Sequence, residues 1–187
     1  IMESVELLDT QKYDEIKGVI DNAMKAGVER DIGHEYITGF EERMNQQARQ
    51  TVATKWDSVN DLMDGGLAGG ELGVVVAPAG IGKSWTLQAI GADAVRQGKT
   101  VIHYTLELNA EYVGLRYDTI ISGQPTGNLQ YHKEEVLKKI NQLKGNLIIK
   151  YYPTRSASVA TLTSHIQQCE LQGIKPDLVL VDYADIM

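Results

Sequence analysis

The chain has 187 residues, 43% of them hydrophobic, which suits one domain, or one domain with an extension, and supplies enough apolar side chains for a core. Its 18 Lys plus Arg against 25 Asp plus Glu give a net charge of −7, which argues against a generic nucleic-acid binder but leaves room for a local basic loop. The single cysteine, Cys169, cannot form an internal disulfide and suits a reducing cytoplasm; no apolar run reaches the roughly 18 residues of a membrane span, and the first residues are acidic where a signal peptide is basic.

Residues 10–26 predict an amphipathic helix. Tyr13, Ile16, Val19, Ile20, Ala23 and Met24 recur at spacings of three and four, Asp9 or Thr10 can cap the start, and Gly27 suits the C′ position. Residues 28–55 are polar, with Ile32, Tyr36, Ile37, Phe40 and Met44 as their few anchors, and read as a linker with one short helix. The glycines of "KWDSVNDLMDGGLAGGELG" mark tight turns ahead of a strand at 71–77, "ELGVVVA". A helix follows from Lys83 to about Gln97, closed by Gly98, and then a strand at 100–107. Asn109 can cap a helix to about Ile121, with Glu111 in its first turn. The helix at 131–144 has Val136, Leu137, Ile140 and Leu143 on one face and Glu134–Lys138 and Glu135–Lys139 pairs on the other. A strand at 146–152 precedes a helix opened by Ser156 or Ser158, with Val159, Leu162, Ile166 and Cys169 inward, and the last strand covers 177–182. Four apolar strands separated by helices predict an α/β fold with a parallel sheet covered on both faces.

The stretch "VVVAPAGIGKSWTLQ" carries the chemistry. It reads as strand, A-x-x-x-x-G-K-S, helix, the arrangement of a phosphate-binding loop. In such a loop the successive N–H groups of Ala79, Gly80, Ile81 and Gly82 wrap a phosphate, and the helix N-terminus adds about half a positive charge. Gly80 and Gly82 let the backbone approach without a Cβ. Lys83 reaches the β- and γ-phosphates, the Ser84 hydroxyl can bind Mg²⁺, and Trp85 can lie near a base. Ala77 stands where the usual pattern has glycine, but at a strand end a small residue suffices.

Such a site needs a second acid to hold Mg²⁺ through its water shell. Asp182 supplies it: four apolar residues, Leu178 to Val181, lead to an acid at a strand's carboxyl end, where ligands of parallel sheets bind. Glu107, at the end of "HYTLELNA", is the candidate general base for an attacking water. His34, His103, His132 and His165 show no metal-ligand spacing with one another or with Cys169, and "GGLAGG" precedes its strand, which disfavours a dinucleotide fold.

Together "GGLAGGELGVVVAPAGIGKS", "VIHYTLELNAEYVGLR", "LIIKYYPTRSASVATL" and "LVLVDYADIM" resemble the ATPase domain of DnaB-type replicative helicases, most closely those of large tailed phages. The resemblance covers about residues 55–187 and implies a RecA-like P-loop core, with residues 1–54 as a linker helix and polar linker. It implies ATP and Mg²⁺ as ligands, with Lys83, Ser84 and Asp182 holding phosphate and metal and Glu107 as the base. It also implies a hexameric ring acting on single-stranded DNA, with a primase or helicase loader as a further partner and no membrane. In that family a sensor strand, DNA-binding loops and an arginine finger follow the strand that ends in the metal-holding acid, the Walker B strand, which the resemblance places at 177–182. The sequence therefore reads as the first part of the domain, with little turnover expected on its own. The missing sensor strand leaves three ways to finish the sheet: direct pairing of strands 71–77 and 177–182, an opened sheet, or a strand from another molecule. Two further readings remain open, a RecA-like ATPase without unwinding activity (recombinase- or clock-protein-like) and a nucleotide-binding module.

Overall fold

The computed structural model describes residues 33–45 and 49–183; the helix expected at 10–26 lies outside them. The chain divides into two units, 1–48 and 49–187. In the first, the short helix α1 (Phe40–Met44) occupies the stretch read as a linker with one helix. The Arg43 guanidinium meets His34 Nε2 at 2.8 Å and stacks on the Tyr36 ring at 4.4 Å.

The second unit opens with a small antiparallel pairing that the glycine turns only hinted at. β1 (Thr51–Val52) pairs with β2 (Leu67–Ala68), and the helix α2 (Asp57–Leu62) lies between them. The Asn60 side chain holds the approach to α2, accepting from Thr54 N at 2.7 Å and donating to Thr54 O at 2.7 Å. Gly66 has φ of 125°, and a Cβ there would run into the Val52 carbonyl, so this turn needs glycine.

The expected strand at 71–77 does not form. Residues 71–78 carry no strand pairing, and Leu72, Val74 and Val76 are 87%, 72% and 86% exposed. The β-branched valines favour extended backbone, but a strand exists only where a neighbour completes its hydrogen-bond ladder. No such neighbour lies beside 71–77 among the described residues.

The remaining three strands form one parallel sheet in the order β4 (Asn146–Tyr151), β3 (Thr100–Thr105), β5 (Leu178–Asp182). His103 lies opposite Leu180, and Thr105 opposite Asp182. Side chains alternate between the two faces. Val101, Leu178 and Leu180 pack under α3 (Lys83–Arg96), with Ala94 and Val95. On the same face α4 (Ala110–Ser122) adds Val113 and Tyr117 against Ala92 and Ile149. On the other, Ile102 and Tyr104 pack against Leu162 and Cys169 of α6 (Val159–Leu171). Helices therefore cover both faces, as the apolar strands require.

Local chemistry sets the helix ends. Asn109 caps α4, its side chain accepting from Tyr112 N at 2.9 Å, and Gly123, with φ of 75°, ends it. Ser158, not Ser156, opens α6, through a reciprocal capping box with Thr161. The helix predicted at 131–144 is a 3₁₀ turn over Thr126–Tyr131 followed by α5 (Lys133–Ile140), where Lys139 pairs with Glu135 at 3.2 Å.

Candidate functional site

α3 has 14 residues and β3 has six, so both span about 20 Å. The last turn of α3 is tied to the start of the sheet: Gly145 N donates to Val95 O at 3.0 Å, and Lys99 N to Ala94 O at 3.0 Å. The helix runs back from there, with Gly91 pressed against Leu180 and the Tyr117 hydroxyl. The N-terminus of α3 thus comes level with the carboxyl ends of β3 and β5.

The loop ahead of α3 is built for close approach. Gly80 and Gly82 have φ of 78° and 105°, and nothing lies within 4 Å of where a Cβ would stand on either. Gly82 is the N-cap and provides no side-chain cap, so the first N–H groups of α3 stay available. Lys83 folds back over the loop, its Nζ donating to Ala77 O at 2.7 Å. Ala79 and Ile81 are exposed at the loop tip, and Ser84 is half-buried behind it. The ring of Trp85, 40% exposed, lies 5.2 Å from the Arg116 guanidinium, a cation–π pair between α3 and α4.

Asp182 is 3% exposed, and as the second residue after Leu180 it shares the α3 face of the sheet. Glu107 is exposed in a bend just past β3. Four bonds fix that bend: Thr105 Oγ1 donates to Leu108 O at 2.7 Å and accepts from Leu108 N at 3.2 Å, Leu106 N donates to Asp182 O at 2.9 Å, and Thr154 Oγ1 to Leu106 O at 3.1 Å. Glu107 and Asp182 therefore leave adjacent strands at one end of the sheet, the end that α3 reaches with Lys83 and Ser84. The loop offers N–H donors and an ammonium, which suit a polyanion; Ser84 and Asp182 offer hard oxygen donors, which suit a divalent cation.

A buried polar cluster beneath this end is absent from the sequence-based expectations. His103 Nδ1 and the Tyr117 hydroxyl are 2.8 Å apart, and both residues are buried. Burial pushes the His103 imidazole down to about 4, against the opposing pull of Asp182. Burial, and then the Asp182 charge, push the Tyr117 hydroxyl up. Gln88, on α3, is fully buried as well. The signal in the sequence is an imidazole inside the apolar alternation of "TVIHYT", on the same face as Asp182. Among the described residues no group of three His, Cys, Asp or Glu could hold a metal; His165 instead meets the Tyr104 hydroxyl at 2.9 Å.

No family model matches the chain. It is 27% identical, over 91% of its length, to a protein of Enterobacteria phage T4 described as a DnaB-like replicative helicase. The chain is related to a phage DnaB-type helicase. It spans 38% of that relative's length. An α/β unit with a three-stranded parallel sheet flanked by helices fits the RecA-like core that this relationship implies. No helix among the described residues is long and apolar enough to cross a membrane.

Proposed function

We propose that residues 55–187 are the nucleotide-holding part of a RecA-like ATPase domain in a DnaB-type replicative helicase, with residues 1–54 as its linker. The observation that carries this is the loop itself. Two glycines with left-handed backbone lead into a helix N-terminus without a side-chain cap, and the Lys83 ammonium folds back onto a carbonyl of the same loop. A loop that curls around its own cation is shaped to receive an anion there.

In this reading the N–H groups of Ala79, Gly80, Ile81 and Gly82 bind the phosphates of ATP, and Lys83 exchanges Ala77 O for the β- and γ-phosphate oxygens. Ser84 and Asp182 would hold Mg²⁺, which would supply charge neutralisation at the phosphates. Glu107, held by the bend between Thr105 and Thr154, orients and deprotonates the attacking water. Trp85 supports the base. The intact protein is a hexameric ring that couples hydrolysis to unwinding and grips single-stranded DNA, with a primase or loader as a further partner. The phage relative supports this assignment at the level of helicase; the site chemistry rests on the geometry.

The test is calorimetric titration of Mg²⁺–ATP or Mg²⁺–ADP into the chain. Wild type is expected to bind, and Lys83→Ala to lose about 100-fold or more in affinity, the worth of a charge-assisted contact of about 3 kcal/mol. Undiminished affinity in Lys83→Ala would remove the loop from the site.

A further inference from the structure

Gln88 is fully buried, yet neither its Oε1 nor its Nε2 has a hydrogen-bond partner among the described residues; the same holds for His103 Nε2. Buried polar atoms are normally paired, and leaving one unpaired costs on the order of 1–3 kcal/mol. Three of them, two on α3 and one on β3, are unexplained by the fold.

Their placement suggests a purpose. Gly91 packs against Leu180 and the Tyr117 hydroxyl. Gln88 is three residues earlier, so it lies on the same face of α3, one turn nearer the loop. Moving the same way along β5, the residue after Leu180 on that face is Asp182. His103 is opposite Leu180 in the adjacent strand, with its Nδ1 on Tyr117. Gln88 therefore has His103 and Asp182 on the strands beneath it.

The donor and acceptor types are complementary. An ionised carboxylate only accepts, an amide nitrogen only donates, and an amide oxygen accepts. If the Tyr117 O–H donates to His103 Nδ1, the imidazole proton sits on Nε2, which then donates. His103 Nε2–H can thus give to Gln88 Oε1, and Gln88 Nε2–H to the Asp182 carboxylate.

We propose that Gln88 is a positioning residue for Asp182, the middle member of a relay Tyr117–His103–Gln88–Asp182 that closes when nucleotide and divalent metal are held at the strand ends. The relay ties the acid on β5 to the first turns of the helix that carries Lys83 and Ser84. It rests on the nucleotide-site reading above.

The experiment titrates Mg²⁺ into the chain saturated with ADP and follows binding heat. In Gln88→Met, which keeps the length and removes both polar atoms, the half-saturating Mg²⁺ concentration rises about tenfold, as for partners of metal-holding acids generally. ADP affinity without Mg²⁺ stays at the wild-type value, and the melting temperature holds or rises because no amide is left unpaired. An unchanged Mg²⁺ requirement in Gln88→Met overturns the relay. Should that variant fail to fold, wild-type chain labelled with ¹⁵N-glutamine decides. The Gln88 side-chain amide signals must shift when Mg²⁺ joins ADP, and unshifted signals overturn the relay. Failure of the wild-type chain to bind ADP at all is a different result and overturns the nucleotide reading together with the relay.

Discussion

Glu107 and His103 are four residues apart and show how differently neighbouring positions can be used. Glu107 stands exposed in a bend whose backbone is fixed at Thr105, Leu106 and Leu108, so its reach is set by a rigid frame. If it is the base of the proposed ATPase, Glu107→Gln in the full-length protein keeps nucleotide affinity and lowers kcat by about 10²–10⁴, measured by phosphate release. Turnover within a few-fold of wild type would assign the base elsewhere. His103 is buried and held neutral, with its protonation pushed down to about 4 from an ordinary value of 6.5. Above about pH 6.5 neither the folded nor the unfolded state protonates it. As pH falls from there towards 4, only the unfolded chain takes up the proton, so stability is lost across that window, on the order of 3 kcal/mol in all. Urea melts at pH 7 and pH 5 are expected to differ by part of this amount in wild type. The His103→Phe variant should lose that part of the difference; an equal difference in both would show that other groups carry it.

At the scale of elements, short-range chemistry was readable. The Asn109 cap and the Glu135–Lys139 pair appear where side-chain type and spacing place them. Ser158 was separable from Ser156 only through its reciprocal bond with Thr161, three residues on. The packing of α3 on the sheet was not readable. Gly91 looks like a helix-weakening residue in sequence, yet it is the point where α3 comes down on Leu180 and Tyr117. Gly91→Ala would help an isolated helix by up to about 1 kcal/mol, but here its Cβ meets a buried tyrosine already bonded to His103. A net loss of about 1–3 kcal/mol in denaturant stability is expected. A gain would mean that Tyr117 and Leu180 yield without cost.

On the scale of the whole molecule, the sheet has β5 at one edge, with no strand on its outer side among the described residues. Of the three ways to finish the sheet, direct pairing of 71–77 with β5 is not the one adopted; the sheet is open on that side. Leu72, Val74 and Val76 stand exposed, as does much of Val179 on the edge strand. An open edge and an apolar extended segment in one unit favour association with another chain. Light scattering is expected to show self-association that rises with concentration, and Val74→Lys with Val76→Lys to reduce it. A monodisperse monomer at high concentration would count against that expectation.

Sequence alone determined the order of helices and strands from Lys83 onward and the α/β class. Periodicity, caps and turn residues act over a few neighbours, and each is complete within its own stretch. Only the tertiary structure decided that "ELGVVVA" is not a strand, since a ladder needs a partner from elsewhere in the chain. Distant packing likewise decided that His103 and Tyr117 are buried against one another on the face of Asp182, and that Gln88 of α3 is buried. Burial depends on what a helix and a sheet place opposite one another, and no local pattern specifies that.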